Sequence, residues 1–123
     1  MIGQKLRKMT KGHWTQALLD LGACPDAVVW ARRYPNLSSA WKACENGDWM
    51  LWLIDELRCS LDLYENMTDD HEAMLFVEDD PEILNKRRIA FGCSWKAPLS
   101  DLARAAFECP LLSDIQRAVK VNS

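Results

Sequence analysis

Between residues 40 and 57 the chain reads Ala-Trp-Lys-Ala-Cys-Glu-Asn-Gly-Asp-Trp-Met-Leu-Trp-Leu-Ile-Asp-Glu-Leu, which puts three of its six tryptophans into one short stretch. So much indole and leucine surface has to be removed from water, and the stretch therefore demands a packed interior around it. Asp48 predicts a helix start, because its carboxylate can accept the orphan amide protons of a helix running from about Trp49 to Tyr64. The first turns of that helix are apolar on all sides, as expected of a central helix surrounded by others. Leu57, Leu61 and Tyr64 then make it amphipathic. No nucleophile motif, metal-ligand set or phosphate loop is interleaved with these residues, so the stretch speaks to architecture.

The rest of the chain is punctuated for short helices. His13 to Leu21 carries apolar residues at Trp14, Ala17, Leu18 and Leu21, and Gly22 is placed to end a helix there. Pro25 and Asp26 fit the first turn of a second helix, with Val28, Val29 and Trp30 on its buried side and Tyr34-Pro35 as its stop. Asn36, Ser38 and Ser39 offer caps for a third helix through Trp41 and Cys44, closed by Gly47. Thr68 predicts a cap for a short helix holding Met74, Leu75 and Phe76, although the Met-Leu-Phe-Val run fits a strand equally well. Asp80-Pro81 opens another helix through Ile83, Leu84, Ile89 and Phe91 toward Trp95. Ser100 caps a helix through Phe107, and Leu111 to Val119 forms the last. The expected fold is all-α, an irregular compact bundle of about six to eight short helices.

Length and composition suit a single helical domain over residues 1–123, with residues 1–12 as a basic arm. At 49% hydrophobic and 27% charged residues the chain has ordinary globular composition, and its longest apolar run, Trp49 to Ile54, is far too short to cross a bilayer. The basic N-terminus is not followed by the apolar core of a signal peptide, so a cytoplasmic location is expected. Cys24, Cys44, Cys59, Cys93 and Cys109 lack the spacing of a zinc site or redox pair and read mostly as buried structural thiols. No cofactor or metal is expected.

Charge is the unevenly distributed property. Eight acids, Glu65, Asp69, Asp70, Glu72, Glu78, Asp79, Asp80 and Glu82, lie within 18 residues that contain no Lys or Arg. Such a run is either a solvated loop-helix-loop whose acids favour helix N-termini, or a negative patch that binds a basic protein surface. These eight are the candidate partner-binding residues. Lys5, Arg7, Lys8 and Lys11 near Trp14, together with Lys86-Arg87-Arg88, offer the alternative of nucleic-acid binding, which the net charge of -3 opposes. A helix-turn-helix across Tyr34-Pro35 would present only Lys42. Asp69-Asp70-His71-Glu72 is the nearest approach to a catalytic group, but neighbours in sequence point in different directions on a helix. The chain reads as a non-enzyme with no catalytic residues. A homodimer with exposed tryptophans at its interface is a further partner reading.

Ala23-Cys24-Pro25-Asp26-Ala27-Val28-Val29-Trp30, followed by Ala40-Trp41-Lys42-Ala43-Cys44 and Gly47-Asp48-Trp49-Met50-Leu51-Trp52-Leu53, resembles a pattern in small uncharacterised bacterial and bacteriophage proteins, some of them labelled as immunity proteins. The resemblance covers about residues 23–57. In those proteins an Arg-rich helix containing Cys and Ala follows, and Lys86 to Cys93 is only a loose counterpart. The resemblance implies a helical accessory protein that acts by binding another protein, as toxin immunity proteins and phage inhibitors of host defence nucleases do. Joined to the acidic run, it gives the expectation of an anti-CRISPR-like inhibitor whose negative side chains replace phosphates in a basic groove.

Overall fold

Eight α-helices and no strand are found among the described residues of the computed structural model, which covers residues 11–65, 67–75 and 80–122. The all-α expectation holds. The helices fall into two compact units, one built from the chain up to Ala43 together with the chain from Cys109 onward, the other from Cys44–Glu108.

The first unit contains α1 (Thr15–Leu21), α2 (Pro25–Ala31), α3 (Leu37–Ala43) and α8 (Leu112–Asn122). α1 packs against α8 and α2, and Leu18, Leu21, Val28, Ile115 and Ala118 are buried. Gly22 ends α1 in the left-handed conformation, with φ 105°, and returns its amide to the carbonyls of Leu18 and Leu19. Asn36 caps α3 by accepting the amide of Ser39 at 2.8 Å. The Trp14 indole donates to the carbonyl of Tyr34 at 2.9 Å, so this tryptophan ties the start of α1 to the segment after α2.

The second unit contains α4 (Gly47–Leu61), α5 (Asp69–Leu75), α6 (Pro81–Ala90) and α7 (Leu99–Ala106). α4 packs against α7 and α5, and α5 also touches α6 and α7. Ile54, Leu57, Met74 and Leu102 are fully buried within this unit. The cap of α4 differs from expectation. Asn46, not Asp48, accepts the amide of Trp49, at 3.2 Å, and Asp48 lies in the first turn. Gly47 opens α4 instead of closing the helix before it. A Cβ there would stand 2.5 Å from Leu99 Cγ and 2.7 Å from the Leu99 carbonyl carbon, so only a bare backbone lets the two helix starts come this close. Ser100 is likewise no cap. It is buried inside α7, whose N-cap position is held by Pro98. Arg104 on α7 donates to the carbonyl of Cys44 at 2.6 Å and pairs with Asp101 at 2.7 Å.

Two burial expectations are corrected. α4 buries Met50, Leu51, Leu53, Ile54 and Leu57 on one side, so Trp52 is left 36% exposed and Trp49 half-buried, whereas Trp41 is the well-buried indole. Only Cys44 among the five thiols is buried. Cys24, at the N-cap of α2, and Cys59, on α4, are exposed, and Cys93 and Cys109, in the loops after α6 and α7, are half-buried. Trp95, expected at the end of α6, lies five residues beyond its end at Ala90 and is 69% exposed.

Candidate acidic and aromatic docking surface

Two sequence signals set up the acidic region. Thr68 caps α5, its hydroxyl accepting the amide of His71 at 3.3 Å. Asp80 caps α6 by accepting the amide of Glu82 at 2.9 Å, and Pro81 stands in the first turn as expected. Asp69, Asp70 and Glu72 therefore occupy the first turn of α5 and Glu82 that of α6, where negative charge is favoured by the exposed amides. Glu65, Asp69, Asp70, Glu72, Asp80 and Glu82 are all exposed. Glu78 and Asp79, with Phe76 and Val77, lie outside the described residues. Glu72 is partly neutralised by Arg58 at 3.7 Å. That guanidinium also meets Asp55 at 3.1 Å, and the hydrogen bond to Asp55 raises its already high pKa.

Beside α5 lies a groove of about 560 Å³, lined by Asp62, Leu63, Tyr64, Glu65, Met67, His71, Ala106, Phe107 and Glu108. α4 ends at Asp62 in the left-handed conformation, φ 49°, and Tyr64 is also left-handed, φ 65°, so the chain turns sharply off the helix to form one wall. Packing of α7 beside α4 and α5 brings the other wall, with the Phe107 ring edge-on to Tyr64 at 6.3 Å and to His71 at 5.6 Å. His71 also meets Phe91 edge-on at 5.0 Å, and its Nδ1 lies 2.6 Å from the Thr68 hydroxyl. The groove thus joins the half-buried rings of Tyr64 and His71, backed by the buried Phe107, to three carboxylates, Asp62, Glu65 and Glu108. An aromatic face bordered by carboxylates suits a cationic side chain with apolar length, above all arginine.

Of the six candidate acids among the described residues, Glu65 lines this groove, whereas Asp69, Asp70, Glu72, Asp80 and Glu82 stand at the starts of α5 and α6 and do not line it. Asp62 and Glu108 were missed in the sequence, since the two acids gain meaning only when α7 is packed beside α4, whereas Phe107 is buried as its place in an apolar helix face implied. The Asp69-Asp70-His71-Glu72 run does not converge into a catalytic set. His71 sits among the rings while both aspartates are exposed, and no cluster of His, Cys, Asp or Glu suited to a metal occurs among the described residues. For the basic alternative, Lys11 and Lys86 are exposed and Arg87 and Arg88 half-buried, while Lys5, Arg7 and Lys8 lie outside the described residues. No helix among the described residues is long and apolar enough to cross a membrane. No family model, curated protein or solved structure matches this chain.

Proposed function

We propose that this chain is a small non-enzymatic inhibitor that binds a protein with a basic surface in the cytoplasm, and that its target is a host defence nuclease complex, in the manner of a phage-encoded anti-CRISPR protein. The observation that carries this reading is the juxtaposition of Glu65, Asp62 and Glu108 with the Tyr64 and Phe107 rings in one groove beside the exposed acids of α5. Acids spread over a surface accelerate encounter with a basic partner, and an aromatic groove supplies the desolvated anchor that a purely charged face lacks. Negative side chains at the starts of α5 and α6 take the place of phosphates on the partner. The resemblance of residues 23–57 to phage and immunity proteins points the same way, and a toxin in place of a defence nuclease is the related alternative target.

The test is affinity capture of the tagged chain from a nuclease-treated bacterial lysate, followed by mass spectrometry. One stoichiometric basic protein is expected, and it should be lost from the E65K/D69K/D70K variant, which leaves the Thr68 and Asp80 caps in place, while the helical circular-dichroism spectrum is unchanged. Capture that is indifferent to these reversals, and also to Tyr64→Ala, would sink the proposal.

A further inference from the structure

Directly after the acidic run the chain reverses its charge. Residues 83–100 carry Lys86, Arg87, Arg88 and Lys96 and no acid at all. Three of these cations lie in the C-terminal half of α6, a helix with no buried residue, and the nearest carboxylates in sequence, Asp80 and Glu82, are at its other end. The following loop is folded back on the helix. The amides of Gly92 and Cys93 bond to the carbonyls of Ile89 and Arg88, and the Arg88 Nε donates to the carbonyl of Ala97 at 2.9 Å. Lys96 is held in the left-handed conformation, φ 69°, with its ammonium 4.2 Å from the centre of the Trp95 ring. That ring is nevertheless 69% exposed, and Ile89, within the last turn of the helix, is 70% exposed.

We infer that the C-terminal half of α6 and the 91–97 loop form a binding surface for single-stranded nucleic acid, with a base stacked on Trp95 and phosphates on Lys86 and Lys96. An exposed indole with one ammonium over a face of its ring, on a segment that carries further cations, is what an unpaired base and its phosphate require. Stacking needs only a π-face, and the cations follow the backbone whatever its sequence. A duplex keeps its bases stacked inside and has no use for the indole. A bilayer surface asks for a broad apolar face, whereas α6 exposes Ile89 while Ile83 and Leu84 are half-buried. The acids of the preceding segment repel phosphate, which restricts a strand to this side of α6. This surface shares no residue with the acidic groove, so the two binding roles stand or fall separately.

The experiment is fluorescence anisotropy of labelled oligo-dT and oligo-U titrated with the purified full chain, with no protein partner present. The intact chain is expected to bind at low salt and to weaken steeply as salt rises. Trp95→Ala should lower the affinity roughly tenfold, the loss of one stacked base. Lys86→Gln with Lys96→Gln should flatten the salt dependence, and Trp52→Ala, at an exposed indole on α4, should leave binding unchanged. Circular dichroism serves as the check that each variant folds. No binding by the intact chain at low salt would overturn the inference. So would affinity that survives both the Trp95 and the lysine changes, which assigns it to residues 1–12, or binding to phosphatidylglycerol vesicles in place of the oligonucleotides.

Discussion

Gly47 shows how much one missing methyl can decide. In an ordinary helix Gly→Ala gains up to about 1 kcal/mol from backbone entropy and propensity. Here the new Cβ would stand 2.5 to 2.7 Å from three atoms of Leu99, one of them backbone, and only a shift of α7 relative to α4 relieves the overlap. Overpacking of this kind costs about 1 to 3 kcal/mol and outweighs the gain. Gly47→Ala is therefore expected to lower the urea midpoint with an unchanged slope, and a variant as stable as the parent would show that the two helix starts have room to spare. The tryptophans were harder to rank from residue type alone. Trp41 and Trp52 both belong to the stretch that demands a core, yet the first is 7% and the second 36% exposed. Which indole faces inward depends on how the helices of its own unit pack around it, and composition carries no record of that.

At the level of elements, the start of α4 separates two acceptors that sequence reading treats alike. Asn46 is extended, φ -102° and ψ 94°, and its side chain reaches the amide of Trp49, whereas Asp48 is already helical and acts only through its charge near the helix start. Asn46→Ala should cost about 1 kcal/mol in chemical denaturation, and Asp48→Ala a few tenths. The opposite order would restore Asp48 as the cap. The caps of α5 and α6 were legible because they rest on local geometry. Thr68, Asp80 and Pro81 act within a turn of the helix they start, so the residues that decide the outcome are all adjacent in sequence. α6 is the clearest case of a helix specified by its ends, since no residue along it is buried.

For the molecule as a whole, alkaline pH is the condition that tests the interior. Burial pushes the Cys44 thiol above the ordinary range against the pull of Arg104, and burial does the same to Cys109 against Lys42. Both thiols are protonated in folded and unfolded chains at neutral pH, so neither makes stability depend on pH there. As pH rises through the ordinary thiol pKa the unfolded chain loses these protons while the folded chain keeps them. Stability must then fall until the folded thiols ionise as well. Urea unfolding between about pH 7 and pH 10 should show this decline, and the Cys44→Ala/Cys109→Ala variant should show a shallower one. An equal slope in both proteins would place the titrating groups elsewhere.

The sequence by itself determined the helical class, the short helix lengths, the end of α1, the starts of α2, α5 and α6, and the concentration of negative charge between Glu65 and Glu82. Each of these rests on interactions reaching one turn or less, or on simple counting. Only the tertiary structure decided which tryptophans and cysteines are covered, that Gly47 opens a helix, and that Asp62, Tyr64 and Glu65 share a groove with Phe107 and Glu108. More than 40 positions separate Glu65 from Phe107 and Glu108 in the chain. They meet because helices bury their apolar faces against one another, and the surface left over acquires its chemistry from whichever side chains that burial brings together.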